Sequence, residues 1–128
     1  MPTANFQYLF EKTMPAFSLE TNVAVTEDQT ATLLSSITDI VAEVLEKPKA
    51  YVTVVIKPNC ALTFGGTKDP AAICSLHSIE KINRENNAKV SEKIADLLKK
   101  ELNVSPTRYY VNFQDMDRPN VGFNKTVF

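Results

Sequence analysis

The chain has 128 residues, 44% of them hydrophobic and 23% charged, a composition that suits one compact domain and excludes general disorder. Its 14 basic and 15 acidic residues leave a formal charge of -1, so there is no basic excess to neutralise phosphates, and nucleic acid is not expected as a partner. No apolar run approaches the roughly 20 residues of a membrane span, and the opening MPTANFQYLFEKT lacks the basic and long apolar regions of a secretory signal, which makes a cytoplasmic protein the expectation.

Residues 1–13 show no clean period; Phe6, Tyr8, Leu9 and Phe10 cluster there without caps. Over 16–21, Phe17 and Leu19 alternate with polar neighbours, which predicts a short strand. Thr26-Glu27-Asp28-Gln29 has the form of a capping box, with acidic residues at the positive end of a helix dipole. Leu33, Leu34, Ile37, Val41, Val44 and Leu45 then follow helical spacing through Glu46, and Pro48 stops that helix by driving Lys47 out of helical angles. The β-branched run 51–57 predicts a strand, Pro58-Asn59 a break, 61–64 a short strand piece and Gly65-Gly66 a turn.

The second half repeats this order. Residues 72–79 read as a strand, with Ala72, Cys74, Leu76 and Ser78 on one face and Ile73, Ser75, His77 and Ile79 on the other. Val90, Ile94, Leu97, Leu98 and Leu102 form a second helical stripe, with Asn103 as its C-cap and Pro106 as its stop. Residues 108–114 predict another strand, and the tail carries Val121, Phe123, Val127 and Phe128, apolar enough to pack. Each helix is followed by Pro-x-x-Tyr (Pro48 to Tyr51, Pro106 to Tyr109) and then a strand. Two β-α-β units predict an α+β fold, a four-stranded mixed sheet with both helices on one face. The other sheet face would be left for a second subunit to bury.

Cys60 and Cys74 are too few and too far apart for a disulfide framework or a zinc site, so both are expected to be reduced packing residues. Two Asn-x-Ser/Thr sequons, at Asn103 and Asn124, carry no meaning without a secretory route. His77, the single histidine, is expected to be structural.

Several strings together resemble the macrophage migration inhibitory factor family of the tautomerase superfamily. They are Met14-Pro15-Ala16-Phe17 leading to Thr21-Asn22-Val23, Lys47-Pro48-x-x-Tyr51-Val52, Phe64-Gly65-Gly66-Thr67 with Asp69-Pro70, and Ser75-Leu76-His77-Ser78-Ile79. They continue with Ser105-Pro106-x-Arg108-x-Tyr110-Val111-Asn112, Asp115-Met116 and Asn120-Val121-Gly122-Phe123-Asn124. Each is weak alone; their joint order over 14–128 is specific. The resemblance divides the chain into an extension, 1–13, and one domain, 14–128. It implies a homotrimer with three sheets around a central channel, no organic or metal cofactor, and keto–enol tautomerisation of phenylpyruvate-like and dopachrome-like substrates. It also implies cytokine-like signalling through a cell-surface receptor after export without a signal peptide.

Under that resemblance the base is the amine of an N-terminal proline, the position of Pro15. A terminal amine titrates near ~7.7–8.0, close to the pH at which a base works best. Lys47 would lower that value further and bind the substrate carboxylate. The Ile79 N–H would help hold the carboxylate. Tyr110 and Asn112, two apart on a strand, would enter a neighbouring subunit's pocket, and Tyr51, Val121, Phe123 and Phe128 would form its apolar wall.

Three departures stand out. Thirteen residues and Met14 precede Pro15, so in the uncut chain its nitrogen is a tertiary amide, without a basic lone pair. That leaves a second reading, a non-catalytic signalling or binding trimer. Ala71 replaces the first thiol of the Cys-x-x-Cys found in many relatives, which weakens a third reading, a thiol oxidoreductase. Glu80-Lys81-Ile82-Asn83-Arg84 replaces a glycine-rich stretch and puts a negative charge beside the expected carboxylate site.

Overall fold

The computed structural model describes residues 13–128; the apolar cluster Phe6 to Phe10 lies outside them. Strand β1, Pro15–Thr21, turns Phe17 and Leu19 inward and leaves Ala16, Ser18 and Glu20 on the other face. Helix α1, Glu27–Leu45, begins on the expected capping box: the Gln29 N–H donates to Thr26 Oγ1 at 3.1 Å and the Thr26 N–H donates to Gln29 Oε1 at 2.9 Å. Its buried stripe is Leu33, Ile37, Val41 and Leu45, one residue per turn. Glu46 closes the helix in the left-handed region, φ 55°, and the Lys47 N–H donates back to the Ala42 carbonyl at 3.0 Å.

A single 3-10 turn, Lys49–Tyr51, leads into β2, Thr53–Lys57, so Tyr51 belongs to the turn and not to the strand. After β3, Ala72–Ser78, comes α2, Arg84–Leu102, capped by the Asn83 side chain and ended by Asn103 at φ 56°. Its buried stripe is Val90, Ile94, Leu98 and Leu102. Strand β4 is Tyr109–Asp115, and a 3-10 turn, Arg118–Asn120, precedes a ribbon of β5, Gly122–Phe123, and β6, Thr126–Val127.

The sheet order is β2-β1-β3-β4, parallel at both outer pairs and antiparallel at the central β1–β3 pair. This is the expected four-stranded mixed sheet. The inward side chains Phe17, Leu19, Cys74 and Leu76 form one core with the stripes of both helices. Fully burying each such Leu, Ile or Phe side chain is worth about 1.5–3 kcal/mol, and this shared core is what fixes the register.

Two local expectations are corrected. Residues 61–64 form no strand: only an isolated bridge, Phe64 to Thr67, occurs there. The polar side chains of Asn22 and Arg108 take the backbone groups of that loop. Asn22 Nδ2 donates to Leu62, Lys68 and Asp69 carbonyls, and the Arg108 guanidinium donates to those of Phe64, Thr67, Asp69 and Pro70. Ile79 does not share the face of Ile73 and His77; the strand ends at Ser78 and Ile79 is buried, 1% exposed. The tail packs as a β-ribbon, which no alternation in its short segments signals.

Both helices pack on the core face of the sheet, and the second face meets only the ribbon, beside Ala16 and Thr53, and the Phe64 ring, beside Tyr110, among the described residues. The strand register sets its side chains in rows: Thr53, Ala16, His77 and Gln114; then Val55, Ser18, Ser75 and Asn112; then Lys57, Glu20, Ile73 and Tyr110. Ser18 and Ser75 share a hydrogen bond of 2.7 Å in the central row, while Val55, Ile73 and Tyr110 stand exposed.

Candidate functional site

The N-terminal end of β1 gathers most of the residues that the sequence singles out. Lys47 sits where α1 has ended and the chain turns toward Pro48, and its side chain runs inward, 5% exposed. Its ammonium donates to the Ile79 carbonyl at 3.0 Å and to Thr13 Oγ1 at 2.8 Å, two residues before Pro15. Pro15 itself is buried and pairs with Ser78 across the sheet. Lys47 therefore reaches Ile79 directly, and it reaches the start of β1 through Thr13. The observed contact of Ile79 is through its carbonyl rather than its N–H.

Beside them lies a cavity of about 460 Å³ lined by Met14, Ala16, Ala50, Tyr51, Thr53, Val121, Gly122, Phe123 and Phe128. All four expected wall residues are in it. Phe123 stacks on Phe128 at 5.1 Å between centroids with planes 9° apart, and Tyr51 tilts against Phe123 at 5.8 Å. The 3-10 turn supplies Tyr51, and the ribbon supplies Phe123. The Phe128 N–H bonds the Val121 carbonyl at 3.0 Å, closing the ribbon over the cavity. Phe123 is 50% exposed, so one side of the cavity is open. Such a wall suits a flat aromatic guest.

Tyr110 and Asn112 do not join this group. They lie on the open sheet face, two strands from β1 and five and three register rows from Pro15. Strand geometry puts them about 20 Å and about 14 Å away. Tyr110, 63% exposed, instead packs its ring 5.1 Å from Phe64. Within one chain neither can reach the cavity.

The remaining residues divide clearly. Both cysteines are unpaired thiols. Cys74 is core, and burial pushes its thiol up to about 12, so it is inert at neutral pH. Cys60 is only half-buried, in the turn after β2, and its thiol contacts the Lys57 carbonyl at 3.2 Å, so it is not the packing residue expected. His77 is half-buried on the open face between Ala16 and Gln114. Glu80 does not face the aromatic cavity. It lines a separate depression of about 660 Å³ with Lys81, Asp115 and Asp117, and its N–H donates to Asp115 Oδ1 at 3.2 Å. Among the described residues, no cluster of His, Cys, Asp or Glu could hold a metal ion, and no helix is long and apolar enough to cross a membrane.

Thr13 is the residue that sequence reasoning missed. It is 0% exposed and continues the inward alternation of Pro15 and Phe17 by one step upstream. That alternation was the available signal, hidden because the apolar residues before it obey no period.

A doubled β-α-β sheet with both helices on one face, and with a lysine and an aromatic cavity at the start of its first strand, defines a small α+β fold. The family model of macrophage migration inhibitory factor matches residues 14–128. The rat macrophage migration inhibitory factor is 42% identical over 118 residues, covering 90% of this chain and 99% of the relative. That of Xenopus tropicalis is 39% identical over 115 residues with the same coverage. The solved structure of the factor from Trichinella spiralis superposes with a TM-score of 0.80 at 36% identity, covering 88% of this chain and 99% of that one. The chain belongs to the macrophage migration inhibitory factor family.

Proposed function

We propose that a chain beginning at Pro15 is a cofactor-free keto–enol tautomerase for small aromatic keto acids of the phenylpyruvate and dopachrome type. One observation carries this reading: a buried ammonium, a proline at the head of β1 and an aromatic-walled cavity converge at one end of the sheet. Pro15 as a terminal secondary amine would take the proton from the carbon next to the carbonyl. The C–H pair becomes the C=C bond, the carbonyl π pair moves to oxygen, and a proton returns there to give the enol. The Lys47 charge would hold the carboxylate and keep the amine unprotonated. Tyr51, Val121, Phe123 and Phe128 would hold the ring, with Ile79 beside the carboxylate.

Tyr110 and Asn112 would complete the pocket from the neighbouring subunit of a homotrimer. Their distance from the cavity within one chain supports that role, as does a sheet face left largely uncovered. In this reading 14–128 is the working domain and 1–13 an extension, the protein is made in the cytoplasm, and export would allow cytokine-like signalling at a cell-surface receptor.

A second reading has its own observation. In the 128-residue chain the Pro15 nitrogen is acylated by Met14 and cannot accept a proton near neutral pH, which favours a non-catalytic signalling trimer for the uncut form. The two readings part on one experiment. Both chains are purified, their N-termini are confirmed by mass, and kcat/KM on phenylpyruvate is compared. The Pro15-start chain should be active and the long chain nearly inactive. Equal activity would remove Pro15 as the base; two inactive chains would leave the signalling reading.

A further inference from the structure

The two residues that precede Pro15 are built into the site. Thr13 is fully buried and its Oγ1 accepts from Lys47 Nζ at 2.8 Å. Met14 lines the aromatic cavity, and its carbonyl lies 3.4 Å from the Ser78 hydroxyl that donates to it. An ammonium has three protons to donate. One goes to the Ile79 carbonyl, and Thr13 takes another.

We infer that Thr13 and Met14 form an internal plug: the Thr13 hydroxyl takes the ammonium contact that a keto-acid carboxylate would use, and Met14 takes part of the cavity that its ring would use. The inference rests on the tautomerase reading above and adds to it a second, separate block. Acylation of Pro15 stops proton transfer, whereas the plug stops binding. A hydroxyl is a weaker partner for an ammonium than a carboxylate is. Tethering offsets that deficit, because a group held by a short stretch of chain competes at an effective concentration in the millimolar range or above. A dilute acid would therefore meet an occupied seat until the residues before Pro15 are gone.

The two blocks separate with a ligand that needs no base. Hydrocinnamate is phenylpyruvate without its keto group, and its binding is measured by calorimetry. Five chains are compared: the full chain, the full chain with Thr13→Gly, the same with Lys47→Ala added, the full chain with Thr13→Ser, and the chain starting at Pro15. The last retains every strand and helix of the fold and all but one residue of the family match. The Pro15-start chain should bind at least about tenfold more tightly than the full chain, the loss expected for a charge-assisted contact. Thr13→Gly in the full chain should recover much of that affinity, and Lys47→Ala should abolish the recovery. Thr13→Ser, which keeps the hydroxyl, should stay as weak as the original. Phenylpyruvate turnover by the Thr13→Gly chain should remain at background, because its Pro15 is still an amide.

Equal hydrocinnamate affinity for the full and Pro15-start chains would overturn the plug. A Thr13→Gly gain that survives Lys47→Ala would overturn it too. In either case, turnover by the Pro15-start chain would leave the tautomerase reading standing. If the Pro15-start chain neither binds hydrocinnamate nor turns over phenylpyruvate, that reading fails and the plug falls with it.

Discussion

Replacing Glu80 by glycine should stabilise the protein. Glu80 has φ 68° and Lys81 φ 71°, two consecutive residues in the left-handed region between β3 and α2. A side chain there crowds the following carbonyl oxygen, which costs roughly 1–2 kcal/mol for a residue with a Cβ. Glycine removes that strain but loses more backbone freedom on folding, about 0.5–1 kcal/mol. At the midpoints of those two ranges the expected net gain is about 0.75 kcal/mol. The backbone bond from the Glu80 N–H to Asp115 Oδ1 is kept by the substitution, and one acidic charge beside Asp115 and Asp117 is removed. For a domain of this size the gain corresponds to a Tm rise of about 2–5 °C, read by calorimetry at one fixed protomer concentration. Glu80→Ala separates the causes: it removes the same charge and keeps the Cβ, so its Tm should not rise by as much. A Tm that is unchanged or lower in Glu80→Gly would refute the strain argument. A rise of equal size in Glu80→Ala would assign the effect to charge.

In the Pro15-start chain, Lys47→Ala should weaken binding of the acid by about 1.5–3 kcal/mol, with a smaller loss for an uncharged ester; equal losses would show that Lys47 does not bind a carboxylate. Sedimentation at micromolar concentration should give about three times 14.3 kDa, and a clean monomer would defeat the shared pocket that Tyr110 and Asn112 require. Cys74 makes stability depend on alkaline pH. Its folded value is raised from 9.0 to about 12, so its contribution is fully present below pH 9 and is lost as pH rises toward 12. Denaturant midpoints for the original and Cys74→Ala chains should therefore converge above pH 9, by at most about 1.4 kcal/mol per pH unit; a constant gap would show that the thiol is not held protonated.

The fold was largely legible because its signals are local and periodic. Thr26 and Gln29 announce the start of α1, Leu33 to Leu45 and Val90 to Leu102 give the two stripes, and the duplication of strand, helix and Pro-x-x-Tyr supplies the topology. The family resemblance names Tyr51, Val121, Phe123 and Phe128, and the 3-10 turn and the ribbon bring them around one cavity. Tertiary structure alone decided three things. Asn22 and Arg108 hold 61–71 as a loop through carbonyl contacts that no spacing reveals. The end of β3 at Ser78 turns Ile79 into the core and its carbonyl toward Lys47. Thr13 meets Lys47, 34 positions away in sequence, only because β1 and the end of α1 are packed at the same edge of the core. Periodicity records which face a residue takes. Which distant residue waits on that face is fixed by the packing of the elements, and there the sequence alone is silent.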